Sequence, residues 1–133
     1  MRPAETVLDL VRASTDFLQR KGVPSARLDA ELLIGAAVGL DRLQLYVQFD
    51  RPATDGERDA ARELLRRRGA REPVALILGE KEIRSRAFTV EPGVLIPRPD
   101  TELLVERGLA ALDGAEGDEP PLALDLGCGS GVL

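Results

Sequence analysis

Apolar positions in the first half of the chain recur every three or four places, the spacing of helices that bury one face. That spacing predicts a helix over 4–21, with Val7, Leu8, Val11, Thr15 and Leu18 on one face and Phe17 beside it. Gly22 and Pro24 stop it. Ser25 caps a second helix that carries Asp29 and Glu31 near its start, where acids suit the helix dipole. Leu28, Leu32, Leu33 and Ala36 would face inward, and Gly39 ends it. Asp41 caps a short third helix through Leu43, Leu45, Tyr46 and Phe49. Beyond Pro52, Thr54 and Glu57 form the T-x-x-E box of a fourth, with Ala61, Leu64 and Leu65 buried and Gly69 as its stop. Four or five short amphipathic helices joined by short links make a mainly α helical bundle over 1–72.

The pattern then changes. Val74-Ala75-Leu76-Ile77-Leu78 reads either as one more helical turn or as a buried strand, and Gly79 breaks it. Alternation on both sides of Ser85-Arg86 predicts a β-hairpin, making 73–94 a hairpin linker. In Leu95-Ile96-Pro97-Arg98-Pro99-Asp100-Thr101-Glu102, two prolines hold the backbone extended around Arg98. Asp100 or Thr101 caps a helix running to about Leu112, whose N-terminus favours an anionic group. Asp113 to Glu119 is an acidic, glycine-rich, flexible link followed by Pro120-Pro121. Finally, Leu122-Ala123-Leu124-Asp125-Leu126 reads as a buried strand that runs into Gly127, Gly129 and Gly131. A strand breaking into glycines is how a backbone approaches a nucleotide-type cofactor closely.

Composition narrows the picture. Of the 133 residues, 44% are hydrophobic but only 3% aromatic, which implies a globular chain with an aliphatic core. The net charge of -5 argues against direct nucleic-acid binding. No apolar run is long enough to span a membrane, and the first residues lack the apolar centre of a signal peptide. A single cysteine, Cys128, excludes an internal disulfide and fits a reducing cytoplasm. The chain has no His, so imidazole acid–base and metal chemistry are absent from it. Arg66-Arg67-Arg68 with Arg71 is read first as cations complementing a helix C-terminus, and second as a docking patch for an acidic partner or RNA. Cys128 is read as a small side chain filling a tight loop rather than as a nucleophile.

The even spacing of Gly127, Gly129 and Gly131 differs from the G-x-G-x-x-G of dinucleotide oxidoreductases and resembles the first motif of class I S-adenosylmethionine-dependent methyltransferases. Taken with Leu95 to Glu102, it resembles the HemK-type peptide chain release factor glutamine methyltransferases. Ala26 to Leu33 is similar to that family's second-helix signature. Arg71 to Gly79 is similar to its R-x-P-x-x-Y-I-L-G segment, with Leu76 in place of the aromatic.

The resemblance implies a release-factor-recognising helical domain, a hairpin linker, and over 95–133 the first strand of a Rossmann-like methyltransferase domain, truncated. It implies methyl transfer to the side-chain amide of the glutamine in a Gly-Gly-Gln motif. By carry-over Gly127, Cys128, Gly129, Ser130 and Gly131 would wrap S-adenosylmethionine, with Asp125 ordering the loop or approaching the cofactor's amino group and Pro97 to Thr101 beside the pocket. The family's catalytic Asn-Pro-Pro-Tyr loop cannot be present, because the chain contains no Asn. The expectation is therefore an N-terminal portion that binds cofactor only as part of a complete domain and is inactive alone. The alternative from another class is a non-catalytic binding module for a release factor.

Overall fold

The computed structural model describes residues 5–114 and 121–131, so Ala4 and most of the acidic link fall outside the described residues. These residues form two compact units, divided between Leu78 and Gly79.

The first unit contains α1 (Val7–Arg20), α2 (Ala26–Val38), α3 (Arg42–Val47), α4 (Asp55–Gly69) and α5 (Val74–Leu78). Capping sets most of the boundaries. Thr6 with Asp9, Asp41 with Gln44, and Thr54 with Glu57 each form a reciprocal capping box that satisfies orphan amides at a helix start. The first of these starts α1 later than its apolar spacing suggests. The α1 start is closed further by the loop before α4. Val7 N–H donates to Arg51 O (3.0 Å), Leu8 N–H to Phe49 O (2.9 Å), and Ala53 N–H to Glu5 O (2.9 Å).

Ser25 occupies the N-cap of α2, but its hydroxyl donates to Asp29 Oδ1 (2.9 Å) rather than accepting a backbone amide. The inward face of α2 is also rotated from the expected one. Ala30, Leu33 and Ile34 are fully buried, Leu28 is exposed, and Asp29 and Glu31 lie inside. The reason is position: α2 packs against α1, α3, α4 and α5, so its apolar residues run around the helix and fix no single phase. One core cluster joins Val7, Leu10, Ile34, Leu45, Ala53 and Ala61; a second joins Leu18, Val23, Ala26 and Ala30, and Leu65 packs on both.

Two glycines here are dictated by close approach. A Cβ on Gly35 would lie 2.7 Å from Leu40 O, where Gly39 (φ 68°) folds the end of α2 back. A Cβ on Gly69 would lie 3.1 Å from the Phe17 ring. Gly69 is also the last residue of α4, as its place in the sequence predicts, with Ala70 as the C-cap. The left-handed residue beyond that helix is Arg71 (φ 74°), whose guanidinium donates to Lys21 O (2.8 Å) and Gly22 O (3.0 Å) at the end of α1.

The second unit contains β1 (Glu80–Ile83), β2 (Arg86–Thr89) and α6 (Pro99–Asp113). The strands are antiparallel, with Glu80 opposite Thr89 and Ile83 opposite Arg86. The turn falls on Arg84 (φ 48°) and Ser85 (φ 60°), one place earlier than alternation suggests. Both central residues are left-handed, as a two-residue turn matching strand twist requires. Val74 to Leu78, open between helix and strand on sequence, is helical. Leu122 to Leu126 forms no strand. A strand needs neighbours for its amides and carbonyls, and no other described segment pairs with this one.

Candidate functional site

The glycine loop keeps the backbone form that its spacing implies. Gly127 (φ 83°), Gly129 (φ 55°) and Gly131 (φ 72°) are all left-handed and alternate with Cys128 and Ser130. Gly131 N–H donates to Cys128 O (2.8 Å), closing a tight turn. A Cβ at Gly127 or Gly131 would meet nothing within 4 Å, so the required φ, not crowding, selects glycine. Cys128 is exposed and Ser130 half-buried. Such a loop fits the amino-acid end of a small cofactor in conformation: it turns sharply and offers backbone without side chains. It does not enclose one, since Leu122, Leu124 and Leu126 beside it are 95%, 80% and 85% exposed.

The proline–arginine segment starts α6. Arg98 (φ -101°, ψ 161°) is the N-cap, Pro99 takes the first helical turn, and Asp100 and Glu102 follow in that turn. This corrects the expected cap at Asp100 or Thr101. Proline at the first helical position loses no intrahelical bond, so the helix begins there. Arg98 is extended and exposed, as flanking prolines dictate. Thr101 N–H donates to Arg98 O (2.9 Å). Among the described residues no hydrogen bond or ion pair joins this segment to the glycine loop.

The arginine run is absorbed by the fold. Arg66 pairs with Glu63 (2.6 Å), Arg67 with Glu72, and Arg68 Nε with Asp29 Oδ2 (2.7 Å) in a nearly buried pair that ties α4 to α2. With Arg71 on the α1 carbonyls, all four cations are engaged, which favours the plainer reading.

One polar centre had no sequence signal strong enough to find it. Glu31 is only 4% exposed and accepts from Tyr46 Oη (2.6 Å), Arg27 Nε (3.1 Å) and Arg42 Nη2 (2.8 Å). Burial opposes its ionisation, but the tyrosine hydroxyl and two guanidiniums hold the carboxyl below its ordinary value. The cluster borders a groove of about 540 Å³ with an apolar floor at Val7, Val11 and Leu45. Tyr46 and, close by in sequence, Leu43, Val47 and Phe49 leave much apolar surface exposed.

Among the described residues no helix is long and apolar enough to cross a membrane. Residues 9–79 match the family model described as PrmC N-terminal domain. The chain is similar to curated proteins named release factor glutamine methyltransferase. It is 44% identical over 129 residues to that of Rhodopirellula baltica, covering 96% of this chain and 44% of the relative. It is 41% identical over 133 residues to that of Leptospira interrogans, covering 100% and 46%. It is 46% identical over 127 residues to that of Geobacter sulfurreducens, covering 96% and 42%. The chain thus spans less than half the length of these relatives.

Proposed function

The chain belongs to the PrmC N-terminal domain family, and from that premise we propose that it is the N-terminal part of a protein methyltransferase acting on the Gly-Gly-Gln glutamine of peptide chain release factors. The observation that carries this reading is one chain holding a five-helix unit, a helix start at Pro97-Arg98-Pro99 and a loop of three alternating left-handed glycines. The relatives' name, release factor glutamine methyltransferase, supports the same substrate class.

S-adenosylmethionine, when bound, supplies an electrophilic methyl group for in-line displacement. The residues of this chain bind and orient. Gly127 to Gly131 would cradle the cofactor's amino-acid end through backbone groups, Asp125 would order that loop, and Pro97 to Thr101 would flank the same pocket. An amide nitrogen is a poor nucleophile and needs acceptors for its protons; without Asn, this chain holds the cofactor side of the site and not those acceptors. The chain alone is therefore expected to be inactive, and to work in the cytoplasm once completed by the remaining part of the domain.

A second reading rests on the helical unit alone. Its exposed apolar surface around Tyr46, beside the Glu31 groove, suits a non-catalytic module that holds a release factor. Calorimetry with S-adenosylmethionine, and methyl transfer to a release factor read by mass spectrometry, test the assignment. Neither cofactor binding nor transfer is expected from the 133 residues. Both are expected when the C-terminal half of the domain is covalently present. Micromolar binding by the chain alone would overturn its description as half a site, and no methylation by the completed protein would overturn the enzyme reading.

A further inference from the structure

The hairpin makes one contact just before α6 and one on it. Lys81 Nζ donates to Pro97 O, immediately before the Arg98 N-cap, and Arg84 Nη1 lies 3.5 Å from Glu106, about two turns into α6. Lys81 shares a strand face with the buried Ile83, two residues on. A cation on the inward face of a strand needs a partner there. The partner it has is a carbonyl in a stretch poor in donors: Pro97 and Pro99 carry no N–H, and Arg98 makes no side-chain cap. Pro97 is buried, Arg98 is exposed, and the prolines fix φ on both sides of the arginine. Holding Pro97 O therefore sets the direction in which Arg98 and the first turn of α6 leave the hairpin. Lys81 is one of only two lysines in the chain.

We propose that Lys81 is a positioning residue for the methyl-transfer site, fixing the Pro97-Arg98-Pro99 turn against the hairpin. The inference rests on the reading that this turn flanks the cofactor pocket, and its first test is independent of that reading. Residual dipolar couplings and amide exchange are measured on the 133-residue chain, its Lys81→Met variant and its Lys81→Arg variant. In Lys81→Met, the Arg98 and Thr101 couplings shrink toward averaging and Thr101 N–H exchanges about tenfold faster. Val90 N–H, which donates to Gly79 O (2.9 Å) and reports hairpin integrity, keeps its rate. Lys81→Arg, which retains a donor, restores the couplings. Unchanged couplings in Lys81→Met overturn the proposal. So does equal acceleration at Val90 that Lys81→Arg does not cure, because Lys81 then only supports the hairpin.

In the complete enzyme, Lys81→Met lowers kcat about tenfold with KM for the release factor within about twofold, and adds little on an Arg98→Ala background. Full additivity overturns the positioning role. An Arg98→Ala variant with unchanged methylation overturns the link to the site, whatever the couplings show.

Discussion

Leucines at helical spacing occur in both units and meet opposite fates. Leu18 and Leu33 in the helical unit are fully buried, whereas Leu103, Leu104 and Leu109 on α6 are exposed. Sequence periodicity states which face an element offers; burial requires something to receive it. α1 and α2 receive each other and share α4, while α6 has no buried residue. Charges divide the same way. Arg68–Asp29 and Arg42–Glu31 join separate helices around nearly buried carboxylates, but Arg84–Glu106 is an open pair at 3.5 Å.

The sharpest way to break this contrast is to delete a leucine from each unit. Leu33→Ala leaves a cavity at a site with no exposure and should cost about 2–5 kcal/mol in a urea melt of the helical unit. Leu124→Ala should stay within about 0.5 kcal/mol, and equal losses would abolish the distinction. Next in size, Arg68→Met strands the buried Asp29 carboxylate with only Ser25 as donor and should cost about 2–4 kcal/mol. Arg84→Met, at the open pair, should cost less than about 1 kcal/mol. Third, Gly35→Ala drives a methyl to within 2.7 Å of a backbone oxygen and should cost about 1–3 kcal/mol. Gly129→Ala meets only Gly127 O at 3.8 Å, so its strain is local and the melt of the helical unit should not move.

The smallest effect is a pH dependence confined to the helical unit. The Arg51 guanidinium, then the Thr54 amide, hold the Glu57 carboxyl at about 2 against an ordinary 4.5. Its ionised form is the one the fold favours. The contribution is therefore whole above pH 4.5 and is lost as pH falls through about 2. Urea melts across that window should show a slope that flattens in Glu57→Gln.

Local chemistry was legible where partners lie within a few residues. The Asp41 and Thr54 caps, the Gly39 turn and the alternating glycines follow from their neighbours alone. Thr6 and Asp9 carried the same signal, masked by apolar positions that begin beside them. What sequence hid was long-range. Glu31 looked like a first-turn acid, yet its partners Arg42 and Tyr46 stand 11 and 15 positions away on α3. Arg68 finds Asp29 across 39 positions. The inward face of α2 is hidden in the sequence because a helix packed on several sides has no single apolar stripe. The candidate site was legible as motifs, through Gly127 to Gly131 and Pro97 to Thr101, but not as a cavity, because its walls are not made by the described residues.

Arg71 gives the helical unit a property of its own. It accepts a backbone angle that glycine would take more comfortably, and its side chain closes the carbonyls ending α1 while its backbone ends α4. A glycine there would relax the angle and release the clasp, two changes of opposite sign that a melting temperature would largely average away. The difference would appear in fraying: the last turns of two helices distant in sequence, which the Arg71 side chain ties together, would become free to open one at a time.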